Sequence, residues 1–320
     1  MVHPVLAVTG GGASKPARDT PVASIPLDPP RHLRARTMHP TALPLAIALA
    51  ACSLLTACAT QPSAPTTLAE VGEVRPGSGY AKGYLSSGET PDSLALLAPP
   101  PAVGTAAQAD DDAAWRTLTA LQAGPRGALA TEDANLNFPA ASSHFACALG
   151  IRISEQETPN LNMLLRRTRA DASRSTAKAK EHYQRTRPFA FFNAPSCTPK
   201  DEPGLRKNGS YPSGHSAIGW AWALVLTQAA PERADALLQR GRAFGQSRGV
   251  CGVHWKSDIQ AGWLMGAATV ARLQDNAVFR AQLAAARSEI AAARAAGQAP
   301  EAADCAAQAA ALATTARLAP

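Results

Sequence analysis

At 320 residues, 46% of them hydrophobic, the chain is long enough to bury a core without help from metal ions. Of its formal net charge of +7, residues 1–58 hold +3 (Lys15, Arg18, Arg31, Arg34 and Arg36 against Asp19 and Asp28), which leaves +4 for residues 59–320. So small an excess, with 5% aromatics and no basic stripe interleaved with them, argues against nucleic acid as a partner.

Ala, the best helix former, dominates, while Val, Ile, Tyr and Phe are sparse; the expectation is an all-α protein. Residues 1–37 begin with a Pro- and Gly-rich stretch and read as a leader that does not fold. Residues 38–58 read as a signal segment. Its apolar run, 44–55, is too short to span a bilayer and suits a signal-peptide core. The run ends in Leu55-Thr56-Ala57-Cys58, which resembles the bacterial lipobox, so Cys58 is the expected lipidation site and new N-terminus. Ala59 in place of Asp implies, by the same resemblance, sorting to the outer membrane. The expected location is periplasmic, anchored through Cys58 or otherwise soluble or secreted; translation from Met1 or from Met38 stays open.

Residues 59–79, rich in Pro, Thr, Gly and Ser, read as a flexible tether, and 80–296 as the folded domain. Asp110-Asp111-Asp112 suits a helix N-terminus, where acids meet the positive end of the macrodipole. A helical stretch follows around Glu132-Asp133-Ala134-Asn135. Residues 160–187 read as one long helix, with Leu161, Leu164 and Leu165 at i, i+3 and i+4, stopped by Pro188. A proline-rich loop runs over 192–212. Residues 216–228 are apolar nearly all round and read as a buried central helix; 234–246, 254–273 and 281–296 read as further helices. Gly297 and Pro300 open an Ala-rich tail, 297–320. Cys147, Cys197, Cys251 and Cys305 form no CxxC pair, which argues against zinc and for disulfides, with three pairings open.

Three segments carry polar residues that a helical core does not need. In the first, Lys180 and Arg187 are seven apart, two helical turns, and are expected on one face. The second, Ser210-Tyr211-Pro212-Ser213-Gly214-His215, precedes the central helix, whose first N–H groups form an oxyanion site; Gly214 lets the backbone approach a ligand. In the third, Ser247-Arg248 is followed by His254 and Asp258, spaced i, i+4 so that a carboxylate can hold the imidazole. Together they supply three cations, a hydroxyl, backbone donors and two histidines, a cradle suited to a phosphoryl group.

The pattern Lys-x6-Arg-Pro, Pro-Ser-Gly-His, Ser-Arg-x5-His-x3-Asp resembles that of the type 2 phosphatidic acid phosphatase superfamily. Ser210–His215, Arg187-Pro-Phe-Ala-Phe191, Glu132-Asp-Ala-Asn135 and Gly245-Gln-Ser-Arg248 are similar to the bacterial class A non-specific acid phosphatases within it, and the resemblance spans about residues 80–290. It implies an all-α helical bundle with the site between central helices and an adjoining loop. It also implies a non-specific acid phosphatase that hydrolyses small-molecule phosphomonoesters without a metal or other cofactor. His254 would be the nucleophile, Asp258 its orienting partner and His215 the general acid, with Lys180, Arg187, Ser213, Gly214 and Arg248 binding phosphoryl oxygens. The alternatives are a vanadium-dependent haloperoxidase, built on the same cradle, and a non-catalytic phosphate-binding lipoprotein. A membrane lipid phosphatase would need apolar spans of about twenty residues, and none follows Cys58. A homo-oligomer is compatible with the sequence.

Overall fold

An apolar helix is stable only where neighbours cover every side, and the architecture follows from that demand. The computed structural model describes residues 64–315, so residues 1–63, with the leader, the signal segment and Cys58, lie outside the described residues, as do 316–320. The elements that frame the site are α1 (Ala106–Thr119), α2 (Pro125–Asp133), α3 (Pro159–Ser175), α4 (Ala177–Tyr183), α5 (Gly214–Ala229), α6 (Ala234–Val250), α7 (Lys256–Leu273), α8 (Ala277–Ala295) and α9 (Ala302–Ala313). Helix α5 is the apolar segment of the sequence. It is wrapped by α3, α6, α7 and α8, and Trp222 at its middle is fully buried, donating from Nε1 to the Leu165 carbonyl at 2.8 Å. Among the described residues the β contact is a single isolated bridge, Glu73 to Ala81. The fold is all-α, as its composition implies. No described helix is long and apolar enough to cross a membrane.

Small residues let the helices close on the site. A Cβ on Gly262 of α7 would stand 2.8 Å from Ser216 Cβ and closer still to the Ser213 carbonyl oxygen, so α7 lies directly against the start of α5. Two disulfides add long-range ties, Cys147–Cys305 and Cys197–Cys251. By loop-closure entropy they are worth about 5 and about 4 kcal/mol respectively.

The sequence reading and the fold differ at four places. Residues 160–187 do not form one helix: α3 ends at Ser175, α4 ends at Tyr183, and Gln184 turns left-handed at φ 42°. The acidic triplet does not start a helix, since α1 begins at Ala106 with Thr105 as its cap, accepting from the Gln108 N–H at 3.3 Å; Asp111 lies buried inside the helix. Residues 64–79 of the expected tether contain a capped helical turn, Leu68–Val71, and are docked by the Gln282 side chain, which donates to the Pro65 carbonyl at 2.9 Å. The Ala-rich tail holds α9, which packs on α2 and is fastened to residue 147 by its cysteine.

Candidate active site

The third motif is shaped by the end of α6. After Val250 the chain reverses through Gly252 at φ +74°, a conformation open to glycine and strained for other residues. The reversal aims His254 back toward α6, while Trp255 becomes the residue that caps α7. His254 is therefore outside the helix, yet the i, i+4 contact survives: Nδ1 meets Asp258 Oδ2 at 3.2 Å. The same carboxylate oxygen accepts the Trp255 N–H at 2.9 Å. A carboxylate only accepts, so Nδ1 carries the proton. On the other side, Arg187 Nη1 donates to Nε2 at 3.0 Å. His254 is thus held in one tautomer, with a lone pair on Nε2.

Arg187 does not arrive by helical periodicity. It lies three residues beyond the break at Gln184 and caps the short turn Pro188–Phe191. Backbone carbonyls fix it: Nε donates to Leu205 and Asn208 at 3.0 and 3.1 Å, and Nη1 donates to Val253 at 3.1 Å. Lys180, from α4, donates to the carbonyls of Gly209 and Ser210 at 3.1 and 3.2 Å, which fastens the second motif to the first. The Cys197–Cys251 disulfide and the Cys197 N–H, which donates to the Cys251 carbonyl at 3.2 Å, fasten the loop after the first motif to the third.

Ser213 caps α5. Its hydroxyl accepts from the Ser216 N–H at 3.2 Å and from the Ser216 hydroxyl at 2.8 Å, which leaves its own proton as a donor for a ligand. Gly214 is the first residue of α5, and a Cβ there would face Thr176 Oγ1 at 3.7 Å and Lys180 Cε at 3.9 Å. Its value is open space beside the lysine rather than an unusual backbone angle. The N–H groups of Gly214 and His215 begin a helix and have no partner within it. His215 donates from Nε2 to the Ala134 carbonyl at 3.0 Å, which leaves the Nδ1 lone pair as its other polar atom.

Arg248 decides the character of the place. It is 2% exposed, and its Nε and Nη1 have no hydrogen-bond partner among the described residues. Orphaned guanidinium donors are costly in a buried setting unless an anion takes them. Burial, then the neighbouring Arg187, pushes Arg248 down to about 10, and burial does the same to Arg187, so both stay cationic near neutrality. Lys180 is pushed down to about 7 by burial, with Arg187 and Arg248 adding repulsion. Burial and then the charges of Arg187, Lys180 and Arg248 hold His254 well below the usual histidine range; burial and then Arg248 do the same to His215. The arrangement is a buried, positively charged cup around one basic nitrogen. It repels a metal dication and attracts a tetrahedral oxyanion.

The PAP2 superfamily profile matches residues 168–279, a stretch that contains all three motifs. The non-specific acid phosphatase of Providencia stuartii is 44% identical over 204 residues, which is 63% of this chain and 82% of that protein. The acid phosphatase of Zymomonas mobilis is 43% identical over 195 residues, covering 61% and 74% of the two chains. The non-specific acid phosphatase of Salmonella typhimurium is 44% identical over 202 residues, covering 63% and 81%. The chain belongs to the non-specific acid phosphatases of the PAP2 superfamily.

Around the cup of this phosphatase stand further residues, of which Asp111, Arg185, Arg126 and Arg240 are not specified by the motif pattern. Arg185, two positions before Arg187, donates from Nη1 to Asp258 Oδ1 at 2.7 Å and to Ser257 Oγ at 2.8 Å, and from Nη2 to Asp111 Oδ2 at 2.8 Å. Asp111 also accepts from the Ser257 N–H at 2.8 Å and from its hydroxyl at 2.6 Å. A relay Asp111–Arg185–Asp258–His254 therefore extends the histidine–carboxylate pair. On the opposite side, buried Asp133 pairs with Arg240 and accepts from Ser247 Oγ at 2.6 Å, and Arg126 Nη1 donates to that hydroxyl at 2.9 Å. This network braces both the residue before Arg248 and the residue before Ala134. Three charges inside otherwise helical pattern, Asp111, Arg185 and Asp133, are the sequence signal for these contacts. Their partners lie 72 or more positions away and leave no periodicity to read.

Proposed function

We propose that this protein hydrolyses small-molecule phosphomonoesters to an alcohol and inorganic phosphate through a phosphohistidine on His254. The observation that carries the reading is buried Arg248, whose orphaned donors belong to the same charged cup as Lys180, Arg187 and the Nε2 lone pair of His254. The phosphoryl group displaces the Arg187–Nε2 contact and takes up the free donors of Arg248, Arg187, Lys180, the Ser213 hydroxyl and the first N–H groups of α5. These donors are fixed before the substrate arrives, so they oppose the charge of the transition state without reorganising.

Nε2 attacks phosphorus as the P–O bond to the alcohol breaks, and protonated His215 gives its Nδ1 proton to the departing oxygen. The imidazolium that forms on His254 is stabilised by Asp258 through the Nδ1 proton. In the second half, neutral His215 takes a proton from water as the oxygen attacks phosphorus, the N–P bond breaks, and Nε2 recovers its lone pair. Rapid acid-free quenching of enzyme with labelled phenyl phosphate should trap an acid-labile, base-stable phosphoryl group. His254→Ala should abolish both label and turnover; a label that survives in this variant sinks the assignment.

The resemblance of Leu55–Cys58 to a lipobox supports a periplasmic enzyme anchored through Cys58 to the outer membrane. Expression of the full chain with labelled palmitate should label the protein, and Cys58→Ala should remove the label. An unlabelled wild type contradicts the anchor without touching the phosphatase reading.

A further inference from the structure

Helix α3 carries Arg166, Arg167, Arg169 and Arg174, and three of them are committed to the fold. Arg166 donates to Asn162 Oδ1 at 2.8 Å and pairs with Glu155; Arg167 donates to the Gly83 carbonyl at 3.0 Å; Arg174 donates to the Leu85 carbonyl at 2.9 Å. Arg169 is different. Like Arg167 on Tyr84, its guanidinium lies over a tyrosine ring, Tyr80 at 3.9 Å, with a buried Nε that has no partner among the described residues, but unlike Arg167 it has no backbone carbonyl or carboxylate paired with it there. Contact with Tyr80, by ring and by side-chain hydrogen bond, holds the group in place and leaves Nε as the unsatisfied donor.

The surroundings of Arg169 lead to His215. Tyr80 donates its hydroxyl to Asn137, which lies three residues beyond Ala134, the residue whose carbonyl holds His215. Arg169 is also seven residues before Thr176, two turns on one helix face and a rise of about 10 Å. Thr176 Oγ1 in turn stands 3.7 Å from the position of a Cβ on Gly214, beside the cup. Arg169 is one of the cations whose charge acts on His215. It therefore stands on the His215 side of the cup, the side from which the leaving group departs.

Resting on the phosphatase reading above, we infer that Arg169, seated on Tyr80, is a second anion subsite that receives a second phosphate carried by the leaving group. A neutral alcohol leaves its Nε orphaned; a distal phosphate satisfies it. The substrates favoured are then bisphosphates, in which one phosphoryl group occupies the cup and the other meets Arg169.

The matched pair fructose 1,6-bisphosphate and fructose 6-phosphate isolates this contact. The ratio of their kcat/KM values should exceed the statistical factor of two by at least tenfold in the wild type. It should fall at least tenfold in Arg169→Gln and less in Arg169→Lys, which keeps the charge but loses the fork. Tyr80→Leu, which removes the platform, should lower the same ratio and serves if Arg169→Gln does not fold. The wild-type preference should weaken as salt rises. An unchanged ratio in Arg169→Gln, or in Tyr80→Leu if that variant must stand in, overturns the subsite while leaving the phosphatase intact. Should the wild type hydrolyse neither sugar, the phosphatase reading fails instead. Calorimetric binding of the bisphosphate to wild type and Arg169→Gln then decides the subsite: weaker binding to the variant supports it, and equal binding ends it.

Discussion

Lys180 links the burial of single side chains to the working pH of the enzyme. Its ammonium sits buried among Arg187 and Arg248 and is pushed down to about 7 by that burial. Below that value the free enzyme presents three cations to an incoming phosphate; above it the lysine is neutral and one is lost. The sign is therefore a fall in kcat/KM as pH rises through about 7, since that quantity reports on groups of the free enzyme. In Lys180→Met, kcat/KM should be lower throughout and this falling limb should vanish. A limb that persists at the same pH in the variant assigns it to another group. In the proposed mechanism His215 adds to the acid preference, because burial disfavours the protonated form that the acid step requires.

At the scale of elements, the site is a meeting of segments that carry one or two groups each. The relay Asp111–Arg185–Asp258 joins α1, the turn after α4 and the first turn of α7. Arg185 occupies Asp258 Oδ1 and leaves Oδ2 for His254 and the Trp255 N–H. Replacing Arg185 by Met should lower kcat on the order of tenfold to a hundredfold, the range of couplings within one network. In an Asp258→Asn background the same replacement should cost far less, because its effect passes through that carboxylate. Additive losses in kcat would mean that Arg185 only supports the fold.

For the molecule as a whole, the cup costs stability that a bound anion returns. Burial holds His144, His215 and His254 below the ordinary histidine range, so the folded protein keeps them neutral where the unfolded chain, near 6.5, takes up protons. The unfolded state then binds more protons, and stability falls as pH drops below about 6.5. Asp171, raised to about 6 by burial, acts in the opposite sense between about 4 and 6, but it is one group against three. The melting temperature without phosphate should therefore fall between about pH 7 and pH 5. Inorganic phosphate should raise it by more at the lower pH, because protonated His215 and Lys180 both favour the anion. A melting temperature that is flat over this range without phosphate would contradict the account.

The sequence by itself determined the all-α class, because Ala-rich helical pattern and an apolar central segment leave no other way to cover Trp222 and its neighbours. It also determined the chemical inventory of the cup, since Lys180, Arg187, Ser213-Gly214-His215, Arg248, His254 and Asp258 stand in short local patterns. Only the tertiary structure decided how they converge. Arg187 reaches His254 through a helix break rather than along a helix face, because the left-handed turn at Gln184 redirects the chain. The tertiary structure also paired Cys147 with Cys305 and Cys197 with Cys251, and it turned Asp111 from an expected helix N-terminal acid into a buried partner of Arg185. The physical reason is common to these cases. Hydrophobic period and turn residues act over a few positions, whereas an ion pair or a disulfide between distant segments depends on which helices the core brings side by side.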